Sequence, residues 1–164
     1  MRSLFRETLH YVPWKHIRSW TCIRCGRCCR EFQINLRFYD YARLAHQWPG
    51  AVDVDHTGVP FIKRTHGRCV FQHSSGLCRL QLQGLKPIIC KLWPFKVFPA
   101  AQRRGRDNAR FHAETDDFFV YLNPFYKICP GINRGIPKDL PLVIKEIIDI
   151  YHNLSKDQRY STAR

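Results

Sequence analysis

Cys22-Ile23-Arg24-Cys25-Gly26-Arg27-Cys28-Cys29 is the stretch on which the reading of this chain turns. Three cysteines stand at two-residue spacing and a fourth follows at once. Two intervening residues let a tight turn aim both flanking sulfurs at one metal, at about 2.3 Å in the case of zinc. Gly26 lets the backbone curl and brings its amides close to the sulfurs. Free cysteine is otherwise a small buried hydrophobe, a reading that suits scattered single residues but not four within eight positions. Four more follow at Cys69, Cys78, Cys90 and Cys129.

Whether eight cysteines mean disulfides or metal depends on the compartment. Met1 to Trp20 is interrupted by Arg2, Arg6, Glu7, Lys15 and Arg18 and has no continuous apolar core of a secretory signal. The longest apolar stretches, such as Phe118 to Leu122, are far shorter than the ~20 residues of a membrane span. The expectation is a cytoplasmic protein without a membrane span, in which reduced cysteines hold metal ions.

At 164 residues and 45% hydrophobic composition the chain suffices for one modest domain with a core. The expected fold class is α+β, a small loop-rich domain organised by metal. Residues 1–21 read as an N-terminal extension packing on the core, 22–132 as the metal-binding domain, and 133–164 as a C-terminal helix and tail. In the first segment Phe5, Leu9, Tyr11, Trp14, Ile17 and Trp20 are spaced to cover one side of a core, while Pro13 limits any helix. Phe32, Ile34 and Leu36 alternate with polar residues as a short strand would. Tyr39 to Trp48 reads as a helix, with Tyr41, Leu44, Ala45 and Trp48 on one side, Asp40 in the positive first turn, and Pro49-Gly50 as its stop.

From Ala51 to Arg68, Asp53, Asp55, Gly58, Pro60 and Gly67 predict loops and short extended pieces. Pro94 to Phe98, Ala109 to Ala113 and Phe118 to Leu122 predict strands of a short antiparallel meander. Val143, Ile144, Ile147, Ile148, Tyr151 and Leu154 form the apolar stripe of a C-terminal amphipathic helix opened by Asp139 and Pro141. The polar ending from Ser155 to Arg164 predicts a frayed tail.

Two metals compete for the cysteines. Cys22-x2-Cys25-Gly26 resembles one knuckle of a zinc ribbon, but no second C-x-x-C exists outside the octapeptide. Cys22, Cys25 and Cys28 instead follow the spacing of bacterial ferredoxins, in which a remote cysteine followed by proline supplies the missing ligand. Cys129-Pro130 has that form. The spacing favours an iron–sulfur cluster, 4Fe-4S, held by Cys22, Cys25, Cys28 and Cys129, and keeps zinc as the alternative.

The remaining cysteines stand in Gly67-Arg68-Cys69, Gly76-Leu77-Cys78 and Lys86-Pro87-Ile88-Ile89-Cys90-Lys91-Leu92-Trp93-Pro94-Phe95. With the octapeptide and Cys129-Pro130-Gly131, this ordered set resembles the YkgJ-type cysteine-cluster proteins, a zinc- or iron-chelating family, from about Cys22 to Ile132. The resemblance implies that Cys22, Cys25, Cys28, Cys29, Cys69, Cys78, Cys90 and Cys129 are metal ligands. Members commonly carry arginine where this chain has Lys86 and Lys91; lysine keeps the charge and loses the planar fork. Relatives of that family include the longer flagellin lysine N-methylases, which transfer methyl groups with an iron–sulfur centre. The expected function is a metal-binding accessory or redox factor, more readily a non-enzyme, with no catalytic residues singled out. An iron–sulfur methyltransferase is one alternative.

Another alternative comes from charge. Twenty-seven Lys and Arg against 13 Asp and Glu leave a formal +14, so an anionic partner, RNA, DNA or an acidic protein, is the second expectation. Arg103, Arg104, Arg106 and Arg110 are the densest basic run, with no stacking motif beside it in the sequence. His66 and His73 bracket Cys69 and could replace a thiolate, but eight cysteines already suffice for two four-ligand sites. Trp14, Trp20, Trp48 and Trp93 read as core and as shielding for the metal.

Overall fold

The strand with the strongest apolar content is also the one on which the others assemble. The computed structural model describes residues 10–102, 107–114, 116–154 and 158–161. In chain order the elements are β1 (Val12–Pro13), α1 (Arg27–Glu31), α2 (Phe38–Gln47), β2 (Val52–Val54), β3 (Pro60–Ile62), β4 (Arg64–Thr65) and β5 (Arg68–Cys69). Then come α3 (Arg79–Leu82), α4 (Ile88–Leu92), β6 (Phe95–Pro99), β7 (Arg110–His112), β8 (Asp117–Leu122) and α5 (Leu140–Tyr151). The protein is α+β and rich in loops, as its sequence pattern predicts.

Phe118, Val120 and Leu122 of β8 are buried, and β6 pairs antiparallel along it, Phe95 opposite Leu122 and Pro99 opposite Phe118. β1 and β7 both pair with β8 as well, at Tyr121–Leu122 and Asp117–Phe119 respectively. The three expected strands thus form with β8 as the central one. The buried side of this sheet meets α5, whose Val143, Ile144, Ile147, Ile148 and Ile150 join Trp14, Ile17, Trp20, Leu92, Phe95 and Val97 in one apolar cluster. Each such aliphatic side chain contributes roughly 1.5–3 kcal/mol by leaving water. Leu154, expected on the stripe, lies past the end of α5 and is 77% exposed.

A second, smaller apolar cluster contains Leu36, Leu44, Val52, Ile62, Cys69, Phe71 and Leu80. Leu44 comes from α2, which lies one residue ahead of the expected Tyr39–Trp48 at each end. Around it stand the hairpins β2–β3 and β4–β5 and the single turn of α3, with Cys29 of α1 and Ile34 packed against the cluster. The strand expected at Phe32 to Leu36 is absent: one isolated bridge, Asn35 with Phe61, is all that pairs there. Leu36 N–H and Ile34 C=O bond to Pro60 and Ile62, which fixes the segment without a ladder.

The tail also departs from expectation. Residues 158–161 are packed on the body, and Ser161 is fully buried. Of the other expectations, Phe5, Leu9 and the arginines at 103, 104 and 106 lie outside the described residues. No helix among the described residues is long and apolar enough to cross a membrane.

Candidate metal centre

The octapeptide does not form one continuous knot. Gly26 has φ of 69°, the left-handed region, and reverses the chain before α1 carries Cys28 and Cys29 away from the Cys22–Cys25 turn. No other residue fits at position 26. A Cβ there would fall 2.0 Å from Gln72 Nε2 and 2.6 Å from the Gly76 carbonyl. Gln72 is buried and its Nε2 donates to the Gly26 carbonyl at 3.0 Å, so it braces the turn from the far side.

Cys28, Cys69, Cys78 and Cys90 gather from four parts of the chain. α1 packs against β5, which ends at Cys69. Arg64 reinforces the junction by donating to the carbonyls of Arg30 and Gly67. Cys78 is brought in by its bridge to Gln72 and by the Arg79 N–H bond to Phe71 C=O at 2.9 Å. Cys90 stands on α4, whose first amide, Ile88 N–H, donates to Asp40 Oδ2 at 2.8 Å. Asp40 is 1% exposed, is paired with Arg43 at 2.9 Å, and Arg43 also donates to Leu85 C=O. Thus α2, which looks on sequence like a surface helix with an acidic first turn, anchors the helix bearing Cys90.

Cys22, Cys25 and Cys129 form the other gathering. Trp20 bridges to Ile132, and Thr21 N–H donates to Gly131 C=O at 3.4 Å. Gly131 is needed for that approach, since a Cβ would fall 2.1 Å from the Thr21 carbonyl oxygen. The Trp20 indole N–H donates to Cys129 Sγ at 3.4 Å. Cys22 and Cys129 pack on the larger apolar cluster, whereas Cys29, Cys69 and Cys78 belong to the smaller one.

Electrostatics follow the same division. Cys69 and Cys90 each lie within the field of Cys28 and Cys78, and Cys129 within that of Cys22 and Cys25. A hydrogen bond with Cys29, then burial, pushes the Cys28 thiol far up. Burial raises Cys69, Cys90 and Cys129, against the opposing Trp20 hydrogen bond in the last case. Lys86 acts in the other direction, its charge favouring the thiolates of Cys28 and Cys90. A metal ion entering here displaces protons from neutral thiols.

Cys22, Cys28, Cys29, Cys69, Cys78 and Cys90 line a cavity of about 350 Å³. Phe32, Trp93 and Phe125 form an aromatic wall, with ring centroids 4.7 Å apart for Phe32 and Trp93 and 5.7 Å for Phe32 and Phe125. No carboxylate is among the described lining residues. Soft thiol donors in a largely apolar surround fit zinc or iron–sulfur and not a hard, oxygen-seeking ion. All eight cysteines are free thiols, so the disulfide alternative has no pair here. Among the described residues no three His, Cys, Asp or Glu side chains converge as ligands of a single ion. His66 and His73 are exposed, and His73 Nδ1 bonds within its own turn to Ser75 Oγ at 3.0 Å.

Sequence reading did not find Gln72 as a brace of the Gly26 turn or Asp40 as the anchor of the helix bearing Cys90. The crowding of Gln72 between two glycine turns is a signal only once the fold is known.

A partly buried, multi-segment array of thiols on a small α+β scaffold defines a metal-binding cysteine-cluster protein. The model of the CxxCxxCC family, described as "Putative zinc- or iron-chelating domain", matches residues 21–119, and the chain belongs to that family. The match ends before Cys129. No curated protein and no solved structure matches the chain.

Proposed function

We propose that the chain holds iron–sulfur clusters in two thiol groups, Cys28 with Cys69, Cys78 and Cys90, and Cys22 with Cys25 and Cys129, and acts as an accessory or electron-carrying factor. Cys29 is the eighth thiol, beside Cys28. The observation that carries this reading for the first group is the cavity of about 350 Å³ lined by Cys28, Cys69, Cys78 and Cys90; Cys22 and Cys29 line it too, while Cys25 and Cys129 are outside its lining. A single zinc ion draws four sulfurs to about 2.3 Å from one point. A cluster instead keeps its ligating sulfurs apart at its corners, as thiols spaced around a cavity are. The regrouping moves Cys28 away from the set read off the spacing alone, because α1 carries it toward Cys69. When bound, a cluster would supply one-electron transfer, and the Trp20 bond to Cys129 Sγ is of the kind that tunes its potential.

The test is anaerobic purification with iron, zinc and acid-labile sulfide measured per chain. Brown protein with iron and sulfide is expected; colourless protein with stoichiometric zinc and no sulfide overturns the iron assignment. Cys69→Ser and Cys129→Ser should each remove only part of the metal, and the remainder should differ in spectrum. Complete loss in both would return Cys28 and Cys129 to one site.

A second reading, binding of single-stranded nucleic acid, is favoured by one observation. Phe38 and Tyr39 at the start of α2 are 78% and 65% exposed and are interleaved with Arg37 and Arg43, the latter 5.7 Å over the Tyr39 ring. Exposed aromatics beside arginines are the stacking element that the sequence pattern lacked. Phe38→Ala with Tyr39→Ala should weaken binding to a single strand, and absence of binding at low salt would dismiss the reading.

A further inference from the structure

Glu146 lies on α5 and is 7% exposed. Its Oε2 accepts the N–H of Arg159 at 2.5 Å and of Tyr160 at 2.9 Å, and its Oε1 accepts the N–H of Ser161 at 2.9 Å. Three successive amides converging on one anion form a nest, here closed by a carboxylate of the same chain. Charge-assisted bonds of this kind are roughly twice as strong as neutral ones.

The segment so held reaches both thiol groups. Ser161 C=O accepts the N–H of Cys22 at 2.9 Å. Gln158 Nε2 donates to the carbonyl of Lys91 at 3.3 Å and to Ser161 Oγ at 3.2 Å, and its Oε1 accepts from Lys86 Nζ at 3.3 Å. Lys86 and Lys91 flank Cys90 on either side. The four residues therefore touch the backbone of Cys22 and the helix of Cys90, and nothing in their own composition explains burial of a serine at the end of a polar tail.

We propose that residues 158–161 are a clasp that positions Cys22 and α4 for metal binding, with Glu146 as the positioning residue that locks it. Glu146 touches no metal; it acts through Ser161 on Cys22. The metal arm of this inference rests on the reading of Cys22 as a ligand, so its test has a second arm that needs no metal.

In metal-free, reduced protein, the rate of alkylation of Cys22 by iodoacetamide is mapped by mass spectrometry, with Cys69 as internal reference. Glu146→Ala should speed Cys22 relative to Cys69, and hydrogen exchange should show the amides of 159–161 released. In reconstituted protein the same variant should lose about tenfold or more in metal affinity, the usual scale for removing an outer-shell support, with the loss concentrated in the spectrum assigned to Cys22. Glu146→Gln, which keeps the shape and one acceptor, should fall between. A chain cut after residue 157 keeps Glu146 and should match Glu146→Ala. Released amides with unchanged Cys22 reactivity overturn the clasp. Loss of the α5 fold in both Glu146→Ala and the cut chain also overturns it, because the tail would then support the core rather than the cysteine. Faster alkylation with unaltered metal affinity upholds the clasp and removes Cys22 from the ligands.

Discussion

The two apolar clusters of this molecule are built differently, and five of the eight cysteines are divided between them. The larger has a four-stranded sheet covered by α5, with Val120, Leu122, Ile144 and Ile147 fully buried. The smaller has two-stranded hairpins, one helix of three turns and one of a single turn around Leu44, Ile62 and Leu80. An isolated two-stranded hairpin is marginal in water. The comparison teaches that the first region can order itself by burial, whereas the second has less burial to order it, and under the proposed function metal on Cys69 and Cys78 would crosslink it.

Removing the metal should therefore have the largest effect, and an unequal one. Binding energies of structural metal sites are on the order of 10 kcal/mol, more than hairpins of this size provide. After anaerobic chelation, hydrogen exchange should lose protection across β2–β5 and α3 while β6, β8 and α5 keep theirs. Equal loss in both regions would break the comparison.

Truncation of each core gives the next largest effect. Ile147→Ala and Leu44→Ala remove fully buried side chains and should each cost about 2–5 kcal/mol in the metal-loaded protein, read by urea unfolding. In metal-free protein the Ile147 cost should persist and the Leu44 cost should nearly vanish, because the region that Leu44 supports is already open. A persistent Leu44 cost would mean that the smaller cluster folds unaided.

The smallest effect concerns the seam. Asp40 extends from α2, on the smaller cluster, to Ile88 N–H at the start of α4, on the larger. Asp40→Asn keeps the size and lowers the bond to a neutral one, leaving Arg43 without its ion pair. About 1–3 kcal/mol of stability should be lost, together with metal from the group containing Cys90. Full metal content in a destabilised variant would make Asp40 a support of the fold alone.

Much was legible before any fold was known, wherever the signal is local. The helix at Phe38–Gln47 shows its 3.6-residue period and its Pro49-Gly50 stop, the strands at β6, β7 and β8 their apolar runs, and α5 its isoleucine stripe. The octapeptide announces metal because four cysteines within eight positions suit metal ligation better than the scattered single thiols of an apolar core do. Gly26 stands where the chain reverses between Cys25 and α1, a turn that needs a residue free to enter the left-handed region.

What spacing alone could not determine is which thiols face one another. Cys25 and Cys28 are close in sequence, but Gly26 reverses the chain and α1 directs Cys28 toward Cys69, while Cys22 and Cys25 meet Cys129 through the Trp20–Ile132 bridge. The acidic residues were equally opaque. Asp40 reads as a helix-start charge and nothing in the sequence pattern singles out Glu146, yet both are buried and bind backbone amides from distant segments. Sequence by itself therefore determined the candidate thiol donors and most of the elements that carry them, since both depend on residue type and short-range period. Only the tertiary structure decided how the donors are grouped and what holds them, because those contacts join residues far apart in the chain, and a buried carboxylate is stable only where the fold delivers it donors.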